Sequence, residues 1–203
     1  MRQPNRRLAI AALGVLALGA GSALAASPAA GDMTLGDPKA KVKMVEYASL
    51  SCSHCAVFNN EVFPAFKKKY IDTGKVHYTL REILTPPLPV AAAGFIAARC
   101  AGKDNYFTVV DAVFRGHDEM VRTGDARAVL VGAAKAGGLS EAQFEACLSD
   151  KGALEALNTR VSKNAQDGDI AGTPTFVFNG VKVKEGEMSA AELDAAVAAA
   201  SKR

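Results

Sequence analysis

The chain has 203 residues, 49% of them hydrophobic and 22% charged, with a formal net charge of +3. That balance excludes a disordered or collagen-like chain, and the length suffices for one or two domains with a real core. The charge argues for no polyanionic partner: taking Arg2, Arg6 and Arg7 from the 24 basic residues leaves 21, against 21 acidic ones.

Met1 to Ala25 reads as a secretory signal peptide: a basic start, an apolar run from Leu8 to Ala20, and Ala23-Leu24-Ala25 as a small-x-small cleavage site. The alternative is an uncleaved membrane anchor, for which the run is short. An exported chain matures where disulfides persist. Met33 to Pro38 is a lead-in with turn chemistry at Gly36-Asp37-Pro38, and Val42 to Tyr47 reads as a buried strand. Helical spacing follows at Phe58, Val62, Ala65 and Phe66; Pro64 is expected to kink this helix and Lys67-Lys68-Lys69 to close it. Val76, Tyr78 and Leu80 then alternate with His77, Thr79 and Arg81 as a second strand.

From Pro89 the periods turn helical. Four or five helices are expected: Pro89 to Ala101, a stripe of Tyr106, Phe107, Val110, Val113 and Phe114, Asp125 to Ala136, a capping box at Ser140 and Gln143 leading to Phe144, Cys147 and Leu148, and a stripe of Leu154, Leu157 and Val161. Strands return at Thr175 to Phe178 and Val181 to Lys184, joined by an Asn179-Gly180 hairpin turn. Ser189 and Glu192 cap a final helix. The order implies an α/β sheet domain split by a helical insertion: residues 33–84, the insertion at 85–169, and residues 170–203, after the signal at 1–25.

Cys52-Ser53-His54-Cys55 sits where the first strand turns into a helix. Two cysteines at this spacing can close a disulfide across the first helical turn. Unpaired backbone N–H groups and the helix dipole favour a thiolate at Cys52, and a protonated His54 adds positive charge beside it. A stabilised reduced form makes the disulfide a stronger oxidant. A zinc site is the competing reading, but Cys100 and Cys147 lack partners at close spacing. We take the pairing Cys52–Cys55 with Cys100–Cys147, the second bond stabilising the insertion by about 4 kcal/mol in the chain-entropy model. The alternative for Cys100 and Cys147 is two unpaired buried thiols. Glu46 lies on the strand before the motif, where a buried carboxylate is costly unless paired or protonated; the alternative is an edge-strand carboxylate paired with a lysine or Arg81. His77 and His117 read as exposed or structural. Pro174 cannot donate to a ladder and suits an edge-strand start or a cis turn.

Val45-Glu46-Tyr47, Cys-x-His-Cys and Gly172-Thr173-Pro174-Thr175-Phe176 together resemble the thioredoxin fold, and within it the DsbA-like exported thiol:disulfide oxidoreductases, over Leu35 to Val197. The resemblance implies that Cys52 and Cys55 are catalytic with His54 and a cis Pro174. It further implies that Thr173, with Ser53 near it, meets an extended substrate by strand addition, and that Glu46 relays a proton to or from Cys55. Two departures bear on redox poise: familiar oxidases of the group carry proline in place of Ser53 and valine in place of Thr173. The extra cysteine pair resembles the alphaproteobacterial branch.

The expected function is a periplasmic dithiol oxidase acting as a monomer on unfolded or reduced exported proteins. Its redox-active disulfide is the only cofactor expected, with no metal, and a DsbB-type membrane quinone-linked oxidase recycles it. The alternatives are an isomerase or reductase of the same fold, and a non-enzymatic metal-binding or chaperone-like protein.

Overall fold

The computed structural model describes residues 31–203, so the signal-peptide reading of Met1 to Ala25 lies outside the described residues. Five strands form one sheet in the order β1-β3-β2-β4-β5: β1 (Met33–Leu35), β2 (Val42–Ala48), β3 (Val76–Glu82), β4 (Thr175–Phe178) and β5 (Val181–Glu185). Only β2 and β3 run parallel, as the helical crossover between them requires. The lead-in at Met33 thus contains a strand, three residues paired antiparallel with β3. Too short to show an alternation, it is held by a neighbour 45 or so positions away, which no local pattern reports.

β2 and β3 are buried almost throughout, since both faces of the sheet are covered. Val45, Tyr47 and Val177 turn toward Ala165 and Ile170, while Met44, Ala48, Phe176 and Phe178 join the main core. Alternation puts Glu46 on that second face. β2 and β4 are interior strands, so Glu46 is no edge carboxylate and Pro174 opens no edge strand.

After β2 the chain is helical from residue 53 to 71: α1 (Ser53–Val57), a π-helical turn (Phe58–Val62), α2 (Phe63–Phe66) and a second π-helical turn (Lys67–Ile71). Pro64 is accommodated between these widened turns, where Phe63 N–H donates five residues back to Phe58. The lysine run lies inside this last turn, which ends at Ile71. Ala65 is exposed, whereas Phe58 and Phe66 are buried.

The insertion holds six helices: α3 (Leu88–Cys100), α4 (Tyr106–Arg115), α5 (His117–Thr123), α6 (Ala126–Ala136), α7 (Glu141–Ser149) and α8 (Lys151–Gly168). The addition to the expected set is α5, seven residues between Gly116 and the left-handed Gly124, too short for a periodicity to stand out. Leu154 of the expected fifth stripe is exposed, and Leu157 carries that contact. α9 (Ala190–Ser201) follows β5. Both predicted capping boxes form, at Ser140/Gln143 and Ser189/Glu192. Among the described residues no helix is long and apolar enough to cross a membrane.

Candidate active site

The site grows from the end of β2. Leu50, fully buried, packs against α3 at Gly94, where a Cβ would come within 2.7 Å of its Cδ1. Ser51 is tied down by its hydroxyl, which donates to the Thr85 carbonyl at 2.7 Å, and its own carbonyl lies 3.4 Å from His117 Nε2. His117 and His77 are both buried; neither is exposed. This anchored loop delivers Cys52 to the N-cap of α1 in extended conformation, with Cys55 one turn inward.

The two cysteines are unbonded and unlike. Cys52 is half-buried, and its thiol donates to the Thr173 carbonyl at 3.3 Å. Its pKa is lowered to about 5, first by a hydrogen bond from Cys55, and further by the Thr173 side chain and the N–H groups of Cys55 and His54 at the helix start, against the opposing effect of burial. Cys55 has no exposed surface. Burial first, then the hydrogen bond and charge of Cys52 and the charge of Glu46, raise it well above the ordinary thiol. The stabilisation of Cys52 comes first from Cys55, then from the Thr173 side chain and the helix N-terminus. His54, read in the sequence as the neighbouring positive charge, instead points its exposed ring at Glu187, with Nδ1 2.5 Å from Oε1.

Pro174 is buried, and the Thr173–Pro174 peptide is cis, as is Pro86–Pro87. Thr173 is thus brought against Cys52, while Ser53 is exposed on the first turn of α1. Glu46 lies 3% exposed within the main core and accepts a hydrogen bond from Tyr78 at 2.7 Å. Burial raises its pKa to about 7, against the Tyr78 bond that lowers it, with the Cys52 charge adding a smaller rise. Tyr78 was visible in the sequence only as one apolar position of a strand. Its role depends on the β2–β3 register, which pairs Met44 with Tyr78 and Glu46 with Leu80.

Cys100 and Cys147 are joined in a disulfide that ties the end of α3 to α7, with Cys147 buried and Cys100 exposed. Among the described residues no group of three or more His, Cys, Asp or Glu side chains is placed to hold a metal ion.

A Cys-x-His-Cys pair at the first turn of a helix, beside a cis-proline loop that leads into the neighbouring strand of a mixed sheet, is the layout of a thioredoxin fold carrying a helical insertion. A family model described as Thioredoxin matches residues 29–199, and the chain belongs to that family. Within it the architecture is DsbA-like. The crystal structure of Wolbachia pipientis alpha-DsbA1 superposes with a TM-score of 0.80 at 28% identity, covering 90% of this chain and 96% of that one. Oxidised BdbD of Bacillus subtilis, at 22% identity and TM-score 0.76, shares the fold over 90% of this chain and 100% of its own. A Rickettsia typhi relative named as a protein-disulfide oxidoreductase is 36% identical over 154 residues, 75% of this chain and 56% of the relative. The chain therefore spans about half the length of the curated relatives it matches.

Proposed function

We propose that the protein is a thiol:disulfide oxidoreductase working as a dithiol oxidase, whose Cys52–Cys55 disulfide is donated to reduced exported proteins in the periplasm. The observation that carries this reading is the inequality of the two thiols. Cys52 is half-exposed with its pKa lowered to about 5, and Cys55 is buried with its pKa raised. A stabilised Cys52 thiolate favours the reduced protein, which makes the disulfide an electron acceptor.

A substrate thiolate attacks Cys52 Sγ, forming a mixed disulfide while the Cys52–Cys55 bond breaks and its electron pair leaves on Cys55. A buried sulfur with a raised pKa leaves poorly as an anion, so a proton donor near neutrality assists it. Glu46, with its pKa at about 7, holds such a proton and is held in turn by Tyr78. A second substrate thiolate then displaces Cys52 Sγ. The substrate loses two electrons and two protons, and the protein ends as the dithiol. Exposed Val57 lies on α1, the helix that Cys52 caps, and supplies apolar surface beside the sulfur for an unfolded chain.

The signal-like Met1 to Ala25 and the Cys100–Cys147 disulfide support export to an oxidising compartment. Recycling of the reduced monomer falls to a membrane quinone-linked oxidase of the DsbB type. The deciding measurement is the equilibrium of the Cys52–Cys55 couple with glutathione: a potential near −120 mV is expected, and one near −270 mV, the thioredoxin value, assigns the reductase or isomerase role instead.

A further inference from the structure

The turn between β5 and α9 belongs to no motif read in the sequence, yet it closes the site. Gly186 adopts φ 96°, and its N–H donates to the Pro174 carbonyl at 2.8 Å. That bond fixes the turn to the segment that already touches Cys52 through Thr173. The next residue, Glu187, then reaches His54, 133 positions away in sequence, with Oε1 2.5 Å from Nδ1. Both side chains stand in solvent, 67% exposed for His54 and 44% for Glu187, so neither is held in the contact by burial.

We propose that Glu187 is a positioning residue that moderates the redox couple by neutralising the His54 imidazolium beside Cys52. The inference rests on the oxidoreductase reading above and deepens it. An unpaired imidazolium next to the sulfur favours the thiolate, stabilises the dithiol and strengthens the oxidant. A carboxylate in contact with the ring turns that charge into a dipole, whose field at Cys52 is weaker. The hydrogen bond and the charge of Glu187 also raise the pKa of His54, so the pair stays closed to a higher pH.

The charged and titratable groups around the pair are few. Glu187 faces His54 from the β5–α9 turn, and Cys52 faces it from the start of α1. Cys55 and His54 adjoin Cys52 on α1, Thr173 meets it from the cis-proline loop, and Glu46 lies behind it. Near pH 5, where Cys52 titrates, Glu46 holds its proton and His54 is cationic. Among these groups Glu187 is the acidic side chain in contact with the imidazole. Removing its charge makes the surroundings of Cys52 more positive.

The test compares Glu187→Gln with the wild-type protein in two measurements. One is the pH titration of Cys52 by thiolate absorbance. The other is the reaction of the protein disulfide with two glutathiones to give the dithiol and glutathione disulfide. The variant is expected to titrate at lower pH and to raise that equilibrium constant about two- to fivefold, a modest change because exposed charges are screened. The His54 midpoint, read by NMR, moves down with it. Glu187→Asp, which keeps the charge, restores most of the wild-type value. An unchanged equilibrium in Glu187→Gln, or a shift toward a weaker oxidant, overturns the proposal. So does an equally large effect of Glu187→Gln in a His54→Ala background, because the charge would then act without His54. The wild-type potential judges the oxidase reading, whereas the ratio of variant to wild type judges Glu187; one can fail while the other stands.

Discussion

Two glutamates are buried in neighbouring strands, and their surroundings could hardly differ more. Glu82, at the end of β3, is 1% exposed and receives Arg99 Nε at 2.6 Å, Arg160 Nε at 2.7 Å and the Tyr106 hydroxyl at 3.1 Å. Its backbone carbonyl also accepts from Asn164. Arg99, Tyr106, Arg160 and Asn164 come from α3, α4 and α8, so this one carboxylate rivets the sheet to the insertion. Glu46, in β2, has the Tyr78 hydroxyl and, among the described residues, no ion pair. Burial without a cation leaves its charged form costly and its pKa near 7. The same residue type is thus a fastener where arginines meet it and a proton store where only a hydroxyl does.

The contrast breaks first at Glu82. Glu82→Gln removes the charge and leaves two partly buried guanidiniums without their counter-ion, and is expected to destabilise the protein by about 3 kcal/mol. Urea unfolding midpoints measure this; a loss below about 1 kcal/mol would mean the cluster is not a rivet.

Glu46→Gln is expected to act in the opposite direction. The folded pKa, about 7, lies above the unfolded 4.5. Stability from this group is therefore complete below pH 4.5, declines as pH rises through 4.5 to 7, and is lost above 7. A neutral glutamine escapes that decline and is expected to stabilise the reduced protein at pH 8 by up to about 3 kcal/mol. The same variant loses the pH dependence near 7 in the rate at which Cys55 is released from the protein disulfide. Stopped-flow reaction with a small thiol across pH 5–9 reads that rate, and an unaltered profile would remove Glu46 from the mechanism.

Tyr78→Phe makes the smallest change. Losing one hydrogen bond to Glu46 is expected to cost about 1 kcal/mol below pH 5, where the carboxyl is protonated. Because that bond lowers the Glu46 pKa, its loss moves the rate profile to higher pH. A profile moving to lower pH would contradict the assigned hydrogen bond.

Much of this site was legible because its signals are local. The Cys-x-His-Cys spacing at a strand-to-helix junction marks both sulfurs. The capping boxes mark the starts of α7 and α9, and Asn179-Gly180 marks a hairpin turn in which both residues have positive φ, 47° and 80°. Short elements escaped, β1 with three residues and α5 with seven, because neither is long enough to display a period. In sequence His54 is a charge offered to Cys52, since nothing near it in the chain shows Glu187, the carboxylate that answers it 133 positions away.

Residue order by itself determined that the two sulfurs sit at the start of α1, and that a helical block divides the sheet. These follow from backbone geometry within a turn or two of each residue. The tertiary structure alone decided that Glu46 meets Tyr78, that Glu82 meets two arginines, and that Glu187 reaches His54. Burial, charge and hydrogen bonding at those sites depend on strand register and helix docking across 17 to 133 positions. Two glutamates that look alike in sequence therefore differ in chemistry because of what the fold sets beside them.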